Sequence, residues 1–244
     1  MSFPQSPALE DSLRGLVTNF GYCLTMRRDV ILPHKTEHGL FMQVLKSDIK
    51  SGILDAAKHE FAKKGFLKAS MRDIAARVGV GVGNLYNYFP SKDSLFVAVL
   101  APITTAFYAM FDRHHGSDGA DALEMVTADY LKSTVAEYVN IISGNRTLMK
   151  ILFFKAQGSS LENFKMDFTD RATEQVKLWF ADNKVRHPYI NTNVSDFMIH
   201  LHTVWMFTMF EEMLMHEMNM TEIRRMIEEY IKFETCGWKH ILQI

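Results

Sequence analysis

The sequence predicts an all-α protein, and three observations carry that reading. Apolar residues recur at helical spacing along most of the chain. Cap residues and glycines punctuate those runs, and no alternating strand pattern or repeat interrupts them. A hydrophobic fraction of 48% in 244 residues is ample for one large or two modest cores.

Residues 1–45 fit this pattern least. They hold Pro4, Pro7 and Pro33 and little periodicity. They read as a weakly ordered extension with a short helix over residues 9–20. The segment is either a real arm or the product of a start codon placed upstream of Met42. A helix is then expected over residues 48–64, with Ile49, Ile53, Ala57 and Phe61 in one stripe and Gly65 closing it.

The stretch from Ser70 to Lys92 reads as two short helices joined by a tight turn. Ser70 can cap the first helix, and Asp73 can return a bond to the cap's backbone N–H. Ile74, Ala75 and Val78 form its buried edge. Gly79 suits a left-handed helix end, Val80 plugs the turn, and Gly81 starts the second helix. Leu85 and Phe89, four apart, point inward. Val82, Asn84, Tyr86, Asn87 and Tyr88 are left near the outside or the ends, and Gly83 removes a side chain where a phosphate backbone could come close. Asparagine can bond adenine, valine can meet a thymine methyl, and tyrosine hydroxyls suit phosphate oxygens. This is the layout of a helix-turn-helix DNA reader. On spacing alone the stretch could equally be ordinary helical surface.

Pro90 ends the second helix and Ser91 caps a fourth, which carries Leu95, Phe96, Val99, Leu100, Ile103, Phe107 and Phe111. Pro102 is expected to kink it. The polar run 113–121 ends it, and further helices are expected over 121–142, 146–156, about 160–181, 193–218 and 221–242. Ser159 with Glu162 stands at capping-box spacing for the third of these, and Asn193 with Asp196 opens the fourth. Eight methionines lie between Met198 and Met226. With Phe197, Trp205, Phe207 and Phe210 they make this part apolar on more than one face, so one face can meet a partner.

Formal net charge is −1, but its distribution is uneven. Residues 46–100 hold nine basic and five acidic side chains, whereas residues 101–244 carry a net −5. A basic reader on an acidic body would meet DNA through one face. Cys23 and Cys236 form no disulfide framework or metal pattern, which fits a reducing cytoplasm. No signal peptide opens the chain, and the apolar run 197–210 falls short of a membrane span. No cofactor or metal is expected, and no phosphate loop or activated nucleophile supports an enzyme.

Residues from about 47 to 100 resemble the DNA-binding domain of the tetracycline-repressor (TetR) family of bacterial regulators. The matching positions are Ile53, Ala56, Ala57, Phe61, Gly65, Ser70, Ile74, Ala75, Val78, Gly79, Val80, Gly83, Leu85, Tyr86, Phe89, Lys92 and Leu95. The resemblance implies a three-helix DNA-binding domain over residues 46–100 and a helical ligand-binding and dimerisation domain over 101–244. It places Tyr86, Tyr88 and Lys92 at phosphates and Arg72, Val82 and Asn84 nearest the bases; Ser70, Gly83 and Asn87 complete the candidate set. The family usually carries Ser at the position of Gly81, a polar residue at Val82 and Thr at Asn84, so the operator sequence is not read from the motif.

By the same resemblance the chain is a dimeric repressor of a palindromic operator in double-stranded DNA, paired through its last two helices. A small, mostly apolar effector would bind among Phe107, Phe111, Tyr130, Tyr138, Phe153, Phe164, Phe168, Trp179 and Trp205. The expected location is the cytoplasm, at the nucleoid. The competing reading is a ligand-independent DNA-organising or protein-interacting factor on the same scaffold.

Overall fold

The computed structural model describes residues 37–244, with side chains from residue 46 onward. The expected short helix over 9–20 lies outside the described residues. Residues 43–244 form one compact unit, helical throughout, and no strand occurs among the described residues.

The first helix, α1 (Glu37–Lys68), is broken at Gly65, whose φ of 73° ends regular helix there. Two short helices follow, α2 (Met71–Val78) and α3 (Val82–Tyr88), and then the long α4 (Lys92–His115). Ser91 and Ser94 cap α4 reciprocally, each side-chain oxygen accepting from the other's backbone N–H. Helical dihedrals continue through Pro102, which sits exposed on the outer side of α4.

A 3-10 turn (Glu124–Val126) leads into α5 (Ala128–Phe154), then α6 (Phe164–Arg186), α7 (Asp196–Met215) and α8 (Met220–Leu242). The two helices expected over 121–142 and 146–156 are one run, with a single non-helical residue at Asn145. That residue's amide donates back to the Ile141 carbonyl at 3.0 Å and bridges the irregularity. Ser159 and Glu162 do not cap a helix. The Ser159 hydroxyl accepts from the Leu161 N–H and the Glu162 carboxylate from the Gly158 N–H, stabilising a loop before α6. Ser195, not Asn193, caps α7, and Asn219 with Glu222 forms the capping box of α8.

Helices α6 and α7 pack together, and α5 lies against both α4 and α8. Most of their buried side chains form a cluster reaching from Ile53 in α1 to Ile231 in α8, and Val176, Trp179, Phe180, Ile199 and Leu242 belong to a second. The boundary expected at residue 100 lies within α4, the helix that joins the two parts. At one end of α4, Phe61, Phe66 and Phe96 meet edge to face or stacked. At the other, the fully buried Phe107 touches the rings of Phe153, Phe164, Phe168, Phe207 and Phe210. Ring pairs of this kind add to the area term of burying a phenyl group. Phe107→Ala is therefore expected to lower stability by about 3–5 kcal/mol, read as a shift of the urea midpoint; a change under ~1 kcal/mol would contradict the central role of this ring.

Candidate functional site

The Ser70 hydroxyl caps α2 by accepting from the Asp73 N–H at 3.2 Å. The expected return bond from Asp73 is replaced by a different contact. Its carboxylate accepts from Lys64 Nζ at 2.8 Å, and Lys64 also pairs with Glu60 at 2.7 Å. The Lys64 ammonium accordingly holds the Asp73 carboxyl below its usual range. Gly79 adopts the left-handed conformation (φ 73°, ψ 24°), and the next N–H, of Val80, closes onto the Ala75 carbonyl at 3.0 Å.

In α3, Leu85 is fully buried and Phe89, just past its end, nearly so. That anchoring turns Gly83, Asn84, Tyr86 and Asn87 outward, beside the exposed Arg72 of α2. Val82 and Tyr88 are half-buried at the margins. No atom lies within 4 Å of where a Cβ at Gly83 would stand, so packing does not require glycine there. The position leaves room for an approaching surface.

Lys92 differs from expectation. Its ammonium donates to the carbonyls of Leu67 (3.2 Å) and Ala69 (3.4 Å) and lies 4.5 Å from the centre of the Phe66 ring. It fastens α4 to the end of α1 instead of standing free with Arg72.

A second fastening was not legible in the sequence. Lys155, at the end of α5, donates through its side chain to the Ala62 carbonyl and accepts at its own carbonyl from the Phe66 N–H at 2.9 Å. Asp93 of α4 accepts from the Ser160 N–H at 2.8 Å. The loop after α5 thus clasps the base of the helix-turn-helix. Gly65 suits this junction through its positive φ of 73°, since a Cβ there would make only ordinary contact, at 3.5 Å, with the Lys155 carbonyl oxygen.

The far end of α4 borders a cavity of about 160 Å³ enclosed by α4 to α8 and the 3-10 turn. Of the expected lining, Phe111, Tyr130, Tyr138, Phe168 and Trp179 border it. Phe107 and Phe164 are buried in the aromatic core instead, Phe153 packs against that core, and Trp205 stands on the outside of α7. His202, which with His200 and His216 could by its position orient an effector, lines it too, and Trp238, Phe180, His114, His115 and Glu234 do so without having been expected to. Their helical spacing resembles that of any other core position, so only the packing of α8 against α5 brings them together.

On one wall His114 contacts the Tyr130 hydroxyl through Nδ1 and the Glu137 carboxylate through Nε2 at 2.8 Å. Burial alone would push the Glu137 carboxyl up, but bonds from His114 and Arg113 outweigh it and lower it. His200, His202 and His216 each face a different carboxylate, on Asp170, Glu234 and Glu212. Among the described residues no cluster of three metal-ligating side chains occurs.

Residues 53–99 match the family described as bacterial regulatory proteins, tetR family. Over 60 residues the chain is 42% identical to the HTH-type transcriptional regulator RutR of Escherichia coli K12, covering 25% of this chain and 28% of RutR. Over 79 residues it is 35% identical to an HTH-type transcriptional repressor of Mycobacterium tuberculosis, covering 32% and 40%. These alignments span well under half the length of either relative. The fold extends the likeness. FadR of Bacillus subtilis, solved in complex with stearoyl-CoA, superposes with a TM-score of 0.52 at 13% identity, covering 74% of this chain and 96% of FadR. The likeness to the tetR family in sequence is thus confined to the helix-turn-helix region, and for the rest of the chain the likeness is one of fold.

Burial and the neighbouring His114 and His202 hold His115 neutral, with a pKa lowered to about 3. In the unfolded chain a histidine protonates near pH 6.5. Between those values the unfolded state binds the extra proton, so stability is full above pH 6.5 and falls as pH drops toward 3. The expected slope approaches about 1.4 kcal/mol per pH unit below pH 6. Urea titrations from pH 7 to 5 check this, and His115→Phe should flatten the curve relative to wild type.

Proposed function

We propose that the chain is a ligand-responsive transcriptional regulator, a repressor that binds a palindromic operator in double-stranded DNA as a homodimer. The observation that carries this reading is the exposed set Arg72, Gly83, Asn84, Tyr86 and Asn87, held outward by Leu85 and Phe89. That set sits on the segment with excess positive charge. Arg72 and Asn84, with Val82 at the margin, lie nearest the bases, while Tyr86 and Tyr88 meet phosphates and Ser70 orders the approach. Lys92 contributes by positioning α4 and not by touching DNA.

One seven-residue recognition helix reads few base pairs, and a two-fold dimer doubles the reading. Phe197 and Trp205 on α7 and Met226 and Phe233 on α8 are exposed apolar side chains. This supports pairing through the last two helices. A small effector in the cavity would displace α4 and, through the Lys155 clasp, respace the two recognition helices. Such a protein works in the cytoplasm, at the nucleoid.

Selection of bound fragments from genomic DNA should return a palindrome. Tyr86→Ala should weaken its binding by roughly tenfold or more with unchanged stability; full footprint protection by this variant would contradict the proposed face. Phe233→Glu should convert the dimer to a monomer in sedimentation and weaken operator binding with it; an unchanged dimer would move the interface elsewhere.

A further inference from the structure

The chemistry of the cavity restricts what can fill it, an inference that rests on the effector reading above. Its walls are mostly apolar and rich in aromatic rings, Trp179, Trp238, Tyr138 and Phe168 among them. A volume of about 160 Å³ is close to that of an apolar cavity that accepts benzene. A single ring with a short substituent is therefore the natural size of occupant.

Among the described residues no lysine or arginine lines the cavity, and Glu234 of α8 is the one carboxylate that does. His115 is held neutral, and its Nδ1 is buried without a hydrogen-bond partner. His114 is committed to Tyr130 and Glu137 behind the wall. His202 brings Nε2 to 2.9 Å from Glu234 Oε1, but the pair is misaligned and neither buried atom makes a hydrogen bond. The Glu234 side chain is 11% exposed, and its negative charge helps to raise the pKa of the nearby Tyr138 and Tyr230 hydroxyls, which burial raises first. The Tyr230 hydroxyl also stands within hydrogen-bond reach of the Glu234 carboxylate, but its Oε1 is buried without an aligned donor, and a cation close to that oxygen and to aromatic faces gains from both. An anionic ligand would meet Glu234 with no lysine or arginine among the described lining residues to offset it.

We propose that this cavity is a site for a small lipophilic cation, a protonated or quaternary amine carried on a ring, with its nitrogen at Glu234 and its ring among Trp179, Trp238 and Phe168.

Three probes of similar size and different charge test this on the intact protein: benzyltrimethylammonium, its uncharged isostere neopentylbenzene, and benzoate. Calorimetric titration should rank the cation at least tenfold tighter than either of the others. Glu234→Gln should remove that preference while leaving the affinity for neopentylbenzene within about twofold. A tighter neutral or anionic probe, no binding by any probe, or a cation affinity unmoved by the substitution would overturn the proposal. The charge series on wild-type protein decides the matter even if the variant folds poorly. Operator binding measured alongside separates the two ideas. Release by the neutral or anionic probe alone would sink the cation and keep the effector reading. Cation binding at Glu234 with unchanged operator affinity would do the reverse.

Discussion

Helix α4 has to satisfy two sets of neighbours at once. Its first turns place Leu95, Phe96, Val99 and Leu100 among the residues that orient the helix-turn-helix. Its later turns place Ile103, Phe107 and Met110 in the body, and its last residues reach the cavity. A helix of 24 residues is about 36 Å long, enough to span both regions without a break. This double duty explains why α4 is long and apolar enough to pass for a membrane span by composition, although its large apolar side chains are mostly inside the protein. The clasp made by Lys155, Ser160 and Asp93, together with the Lys92 anchor, then fixes the reader's angle on that helix.

Much of the architecture was legible because it depends on local chemistry. Ser70, Gly79, Leu85 and Phe89 act through neighbours within a few residues, and helical spacing alone assigns their sides. Helix boundaries were legible where a cap was unambiguous, as at Ser91. They were not where two polar residues competed, as with Ser195 against Asn193, or where a capping-box spacing served a loop, as at Ser159 and Glu162.

The cavity was only half legible, for a physical reason. An aromatic residue at helical spacing is inward-facing whether it borders a void or fills a core, so Phe107 and Phe111 looked alike. Which one meets open space depends on packing against α6 and α7. Glu234 was harder still, because a lone acid on an amphipathic helix usually faces water. The contacts of Lys92 and Lys155 have the same character. A lysine's four-carbon stem can reach a distant carbonyl, and nothing in the local sequence marks the one that does so.

The shared core also bears on how the protein can let go of a partner. A DNA-binding end with its own separate core could loosen by local unfolding while the body stayed folded. Here Phe66 and Phe96 belong to the same buried cluster as Phe107 and Ile231, so loosening the helix-turn-helix would also uncover side chains of the body. Under the function proposed above, release by fraying of the reader would cost part of that shared core, whereas respacing of rigid pieces would leave it packed.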